Sequence, residues 1–269
     1  MANLVESAIR RRVYRRFAIL AACFAALAVL SAAAPGRIWT PAQHTTWQWQ
    51  LTTPVRQSVQ AQMFDIDLFD NSASVVAALH RRGRHVICYL DAGTIENYRA
   101  DTGRFPTSVQ GKTNGWPGER WLDIRNLSAL EPIMRARFSL CKRKGFDGVE
   151  ADNVDGYAND TGFPLTAADQ LTYNRWLART AHSFGLSIAL KNDLDQVPAL
   201  ERYFDFALDE QCFEYTECDK LRPFVAAHKA VFEVEYNLSP DEFCAQANAL
   251  GFMSMRKTLD LGVNRQVCW

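Results

Sequence analysis

Metal-binding signatures are missing from this chain. It has five histidines in 269 residues, none in an HxxxH pair, and its seven cysteines include no CxxC. Structural and catalytic zinc sites rely on such spacings, so zinc chemistry finds no support. A surplus of one charge is missing too, since 30 Lys and Arg face 30 Asp and Glu. Nucleic-acid binders carry a basic excess on one face, which argues against such a partner. Disorder is excluded, because 48% hydrophobic and 22% charged residues make an ordinary globular composition. There is no internal repeat, no low-complexity tract and no sign of a second folded domain.

Long apolar runs are also scarce, with one exception. "FAILAACFAALAVL" (17–30) follows Arg10, Arg11, Arg12, Arg15 and Arg16 and leads into "SAAAPGR". A basic start, a short apolar stretch and small residues at the end describe a secretory signal, with cleavage after Ala33. Residues 1–34 are therefore expected to be a signal peptide or an N-terminal signal anchor, and 35–269 the folded domain. The anchor stays open because 17–34 is almost long enough to span a bilayer. A membrane is a partner only if the segment stays uncleaved; otherwise the protein is secreted or extracytoplasmic. Without 1–34 the thirty basic residues lose five and the thirty acidic ones lose Glu6, leaving 25 against 29. The mature domain is mildly acidic.

Six cysteines remain once Cys23 leaves with the leader. An even number in an exported chain favours disulfides over metal ligation. Fifteen connectivities are possible in principle. The expected pairing joins Cys212 to Cys218, Cys244 to Cys268 and Cys88 to Cys141.

Short runs rich in Val, Ile and Phe recur at 46–52, 63–69, 85–91, 146–152, 186–192, 204–210, 230–236 and 252–258. Amphipathic stretches separate most of them, several opening on Ser, Thr, Asp or Asn and closing on Gly, as helix caps do. Eight strands alternating with helices predict an α/β fold, a single (β/α)8 TIM-type barrel built through right-handed crossovers. Two irregularities stand out. "TPVRQSVQAQ" between the first two strands is too short for a good helix. Residues 92–126, with five glycines and two prolines, read as a long loop after strand three on the barrel's active-site face.

The strand ends carry acids. "GFDGVEADNVDGY" (145–157) crowds Asp147, Glu150, Asp152 and Asp155 around one buried strand, and alternation puts Glu150 and Asp152 on the same side. Asp65 and Asp67, Asp91, Lys191 and Asn192, Asp209 and Glu210, and Glu233 and Glu235 end the other strands. Like charges forced together shift one another's acidity, which costs stability and serves acid–base chemistry. Hard-metal binding and glycoside hydrolysis both suit such a rim. The aromatics Trp47, Trp49, Tyr89, Tyr98, Trp116, Trp121, Tyr157, Phe213, Tyr215 and Tyr236 near the same ends favour a sugar, which stacks on flat rings; a metal needs none.

The ordered set "TTWQWQL", "YLDAGTIENYR", "WLDIRN", "GFDGVEADNVDGY", "ALKND", "DEQCFEY" and "FEVEYN" resembles glycoside hydrolase family 114, the endo-α-1,4-polygalactosaminidase-like barrels, from about Trp47 to Trp269. The resemblance implies a secreted enzyme cleaving α-1,4-linked galactosamine-containing polysaccharide. It places the catalytic carboxylates on Asp152, as nucleophile, and Glu210, as general acid/base. Asp91, Glu150, Asn153, Asp155, Lys191, Asn192, Gln211 and Glu235 would bind sugar or tune the pair, joined by Tyr89 and Tyr236 and, less centrally, by Asp67 and Asp123. No metal and no cofactor is expected. An acidic rim would attract a cationic, de-acetylated polymer and repel a uronic-acid one. Two alternatives stay open: a non-catalytic carbohydrate-binding barrel, and a metal-dependent hydrolase at the same rim.

Overall fold

The structure is a computed structural model and describes residues 37–269. The expected leader, 1–34, lies outside the described residues. Eight parallel strands form the barrel wall: β1 (Trp47–Trp49), β2 (Met63–Asp67), β3 (His85–Asp91), β7 (Gly148–Asp152), β8 (Ser187–Lys191), β9 (Phe206–Glu210), β10 (Val231–Glu235) and β11 (Met253–Arg256). All eight expected strands are present, and each neighbour in that order pairs in parallel register. The fold is the expected TIM-type barrel.

Helices cover the outside: α1 (Ala73–His80), α2 (Leu127–Lys144), α3 (Ala167–Ser183), the short α4 (Val197–Leu200), α5 (Arg222–Ala226) and α6 (Pro240–Leu250). Local chemistry sets several of their ends. Thr166 with Asp169, and Ser239 with Glu242, form capping boxes that satisfy the first backbone N–H groups of α3 and α6. Gly145 and Gly251 end α2 and α6 at φ 93° and 76°, a conformation that costs glycine nothing. As expected, no helix forms between β1 and β2.

Strand alternation divides the core in two. Met63, Ile87, Ala189, Phe206, Leu208, Phe232, Val234, Met253 and Met255 point inward and pack with Trp47 and Trp49. Phe64, Val86, Cys88, Val149, Ile188, Ala207 and Val231 point outward under the helices. The disulfide Cys88–Cys141 ties β3 to α2 across that outer layer. Cys212–Cys218 and Cys244–Cys268 are also formed, so all three expected pairs are present.

The long segment after β3 is more ordered than its glycines and prolines suggest. It folds as a three-stranded antiparallel sheet from β4 (Thr94–Glu96), β5 (Gln110–Thr113) and β6 (Glu119–Leu122), with β6 central. Gly93 lets it leave the barrel: a Cβ there would fall 1.6 Å from the Asn153 carbonyl oxygen.

Among the described residues no strand ladder joins β11 to β1. The C-terminal segment bridges that seam instead. β12 (Gln266–Val267) pairs antiparallel with β11, while Leu51 N–H donates to Leu261 O at 3.0 Å and Gln48 Nε2 to Val263 O at 3.0 Å. Arg265 donates to the Trp47 and Gln60 carbonyls. Cys244–Cys268 fastens this segment to α6 across 24 residues of chain. Replacing both cysteines by serine should lower unfolding free energy by about 2–4 kcal/mol and speed amide exchange at 261–267. Unchanged denaturant midpoints and exchange would show that the seam holds without the bond.

Candidate active site

Three adjacent strands place one cation among three carboxylates at the C-terminal mouth of the barrel. Lys191, the last residue of β8, is 1% exposed. Its Nζ lies 3.0 Å from Glu150 Oε1, 2.9 Å from Asp152 Oδ1 and 3.0 Å from Glu210 Oε2. Glu150 and Asp152 belong to β7 and Glu210 to β9, the two neighbours of β8. The Trp49 ring closes the remaining side, its centroid 4.9 Å from Nζ.

Electrostatics sort these groups. Burial alone would discharge Lys191, but Asp152, Glu210 and Glu150 outweigh it and hold the amine protonated, well above the ordinary lysine range. Burial likewise works against an ionised Asp152. Lys191, the Asn153 N–H at 2.8 Å and the Tyr89 hydroxyl at 2.9 Å prevail, and its pKa is held below the usual aspartate value. Glu150 is pushed up to about 7, because its burial exceeds what Lys191 returns. Beneath it Asp65 is raised well above the carboxylate range by burial and then by Glu150. A proton on Asp65 supplies the donor that Glu150 Oε2 otherwise lacks. Glu210 accepts from the Tyr236 hydroxyl and from Asn192 Nδ2 at 3.3 Å, while its own N–H donates to Asn192 Oδ1 at 3.0 Å.

The residues following Asp152, Lys191 and Glu210 all have positive φ: Asn153 at 58°, Asn192 at 49° and Gln211 at 65°. Asparagine tolerates this region and glutamine does so less readily. The chain turns sharply at each strand end, and such local strain gathers where side chains must be aimed.

Above this group opens a cavity of about 550 Å³. Asp67, Tyr89, Asp152, Asn153, Asp155, Lys191, Asn192, Glu210 and Tyr236 line it, as do Trp116 and Trp121. The structure thus brings together nine of the fourteen residues named from the sequence. The other five lie off the cavity wall. Glu150 sits fully buried beneath Lys191. Asp91, also buried, accepts from Thr94 N–H and Asn153 Nδ2 at 2.9 Å each and fastens the root of the inserted sheet. Asp123 forms a two-bond pair with Arg125 on the surface. Gln211 donates to Glu214. Glu235 shares the outward parity of Val231, and its Oε1 accepts from Phe213 and Glu214 N–H, bracing the turn after β9. Asp209 and Glu233 also face outward, where burial raises both well above the carboxylate range.

The inserted sheet adds wall residues that the sequence does not single out one by one, although Glu96 and Arg99 belong to the motif "YLDAGTIENYR". Glu96, Arg99, Asn114 and Glu119 face the cavity, with Asp260 opposite. Arg99 is fully engaged, pairing with Asp67, Asp70 and Glu96.

Residues 28–269 match the model of glycoside-hydrolase family GH114. The chain belongs to this family. The crystal structure of Aspergillus fumigatus Ega3 in complex with galactosamine is similar to it, with 39% identity, a TM-score of 0.82, and 86% of this chain and 97% of that one covered. The glycoside hydrolase domain of Pseudomonas aeruginosa PelA shares the fold at 14% identity and a TM-score of 0.62, over 80% of this chain and 94% of that one. An uncharacterized Deinococcus radiodurans protein is 24% identical over 201 residues, and the match spans 65% of either chain.

In this GH114 barrel, Glu150 gives a pH signature. Its folded-state value of about 7 stands above the ordinary 4.5, so the folded protein holds a proton that the unfolded chain releases. That stabilisation is complete below the ordinary value and fades as pH rises through the folded one. Glu150→Gln should flatten the loss of unfolding free energy between about pH 5 and about pH 8, by about 2 kcal/mol. Urea denaturation of both proteins across that range reads it. Equal slopes would show that Glu150 keeps ordinary acidity.

Proposed function

We propose that the protein hydrolyses α-1,4-linked galactosamine-containing polysaccharide by a two-carboxylate mechanism, with Asp152 as nucleophile and Glu210 as general acid/base. The observation carrying this reading is the Lys191 ammonium, which holds both carboxylates at the floor of an acidic, aromatic-walled cavity. The likeness to Ega3, whose structure contains galactosamine, supports the choice of sugar.

The roles follow from the surroundings. Asp152 receives three donors and stays ionised, as a nucleophile must. Glu210 is held on its other oxygen by the Tyr236 hydroxyl. It would protonate the leaving oxygen and, once Asp152 is esterified, take a proton from the attacking water as base. Both near oxygens lie within 3.0 Å of one nitrogen. These two oxygens are therefore no more than about 6 Å apart, and a pair drawn together in this way supports the choice of a retaining mechanism, in which the two carboxyls stand nearer than in an inverting one.

A cationic substrate fits the charge of the wall. Lys191 and Arg99 are each bound by three carboxylates, which leaves Asp155, Glu119 and Asp260 as an uncompensated acidic surface. A galactosamine ammonium would be drawn in and a uronate repelled. We also read the protein as exported, with 1–34 removed, because three disulfides require an oxidising compartment.

Reducing-end release from a partly de-acetylated α-1,4-galactosamine polymer tests the reading. Wild type should release ends, while Asp152→Asn and Glu210→Gln, with melting temperatures confirming folding, should fall by about 10²–10⁴-fold. Retention of the polymer without release would instead identify a binding barrel. Proton NMR of the first product should show the α anomer; initial appearance of β would overturn the retaining assignment.

A further inference from the structure

The inserted sheet carries a group of side chains that bond cleavage does not require. Asp91, Glu96 and Glu119 each bring an oxygen within 4.8 Å of the other two. Glu119 is half-buried on β6, and its Oε2 accepts from Asn114 Nδ2 at 2.7 Å and Thr94 Oγ1 at 3.3 Å. Glu96 is 1% exposed on the cavity wall. Its Oε1 is taken by Arg99 and Tyr98, and its Oε2 has no hydrogen-bond partner. An unpartnered, desolvated carboxylate oxygen costs free energy unless a donor arrives from outside. Beside these acids two rings stand open to solvent, Tyr98 at 59% and Trp116 at 54% exposure, both on the cavity wall.

We propose that Glu119 and Glu96, with Trp116 and Tyr98 beside them, form a subsite that takes a free-amine hexosamine unit of the substrate chain and rejects its N-acetylated form. The proposal rests on the polygalactosaminidase reading and names where that enzyme reads de-acetylation. An ammonium brings one charge and three donors, which suit Glu119 and the unpartnered, buried oxygen of Glu96 at the cavity wall. An acetamide there would bring no charge and set a methyl group against desolvated carboxylates. A divalent metal fits less well. Both Asp91 oxygens already accept hydrogen bonds, and the Arg99 guanidinium lies 2.7 Å from Glu96 Oε1. A dication would face that fixed positive charge with few open lone pairs, and it would have no use for the two rings.

The test is sequencing, by mass spectrometry, of the products from a randomly part-acetylated α-1,4-galactosamine polymer. Wild type should leave a free amine at one fixed position relative to the cut, apart from whatever the cleaved unit itself requires. Glu119→Gln, which keeps shape and removes charge, should admit N-acetyl units at that position with discrimination reduced about ten- to a hundredfold. Trp116→Ala should lower turnover of long chains relative to short oligomers. An unchanged product pattern in Glu119→Gln, with the same melting temperature as wild type, overturns the subsite while leaving the cleavage reading intact. Absence of cleavage by wild type overturns the cleavage reading, and the subsite with it. Calcium or magnesium binding that is lost in Glu119→Gln and not displaced by galactosamine would make the group a metal site and end the proposal.

Discussion

The buried ammonium of Lys191 is the constraint on which the mouth of this barrel depends. Glu150, Asp152 and Glu210 could not stand so close in a desolvated space without a charge between them, and Lys191 could not be buried without them. A lysine suits the place better than an arginine. Its compact point charge offers three donors in a tetrahedral fan, and here they reach two strands on either side of its own. A planar guanidinium would favour one carboxylate with two bonds and leave another unpaired. Because the cation is shared, the acids beneath it divide by depth: Asp152 stays ionised, while Glu150 and Asp65 rise.

Arg99 repeats the device on the inserted sheet, where it gathers Asp67 from β2, Asp70 and Glu96. Here the planar fork is the better tool, since Glu96 meets its Nε edge and Asp67 takes both terminal nitrogens. Phe69 and Tyr98 flank the guanidinium at 5.0 and 5.1 Å and shield it from water. The two cations thus have different tasks. Lys191 fixes side chains within the barrel wall, whereas Arg99 fixes the inserted sheet to the barrel. Both are saturated, so they do not cancel the acidity of the remaining wall.

The barrel was legible because its strands are short, apolar and regularly spaced, and because period-two alternation ties Glu150 and Asp152 to one face. Alternation could not say which face looks inward, for in a closed barrel both faces of every strand are buried. Hence the sequence groups Glu235 with the rim, although its parity with Val231 turns it outward under the helices. The inserted sheet was illegible for another reason. Strands of three or four residues, set among glycines and prolines, are too short to show a period. Glu96 and Arg99 therefore enter the sequence only as members of the motif "YLDAGTIENYR", and Glu119 only as a charged residue in an apparent loop. Asp123 lies in the same segment, and nothing in the sequence marks its pairing with Arg125 two residues on.

The seam between β11 and β1 explains why the cavity opens where it does. β1 has only three residues and no helix follows it, so that side of the barrel lacks the usual crossover. The C-terminal segment fills the gap with backbone hydrogen bonds and brings Leu259, Asp260 and Leu261 to the mouth. A loop in that role needs an anchor, because it has little apolar surface of its own to bury. Cys268 provides one end and the Lys257 ammonium, bonded to Gly262 O at 2.7 Å, the other. With the inserted sheet on one side and this pinned segment on the other, the cavity has two walls that do not belong to the strand–helix repeat. The strand ends hold the Lys191 cluster at the floor of the cavity, and the two added walls shape the space above it.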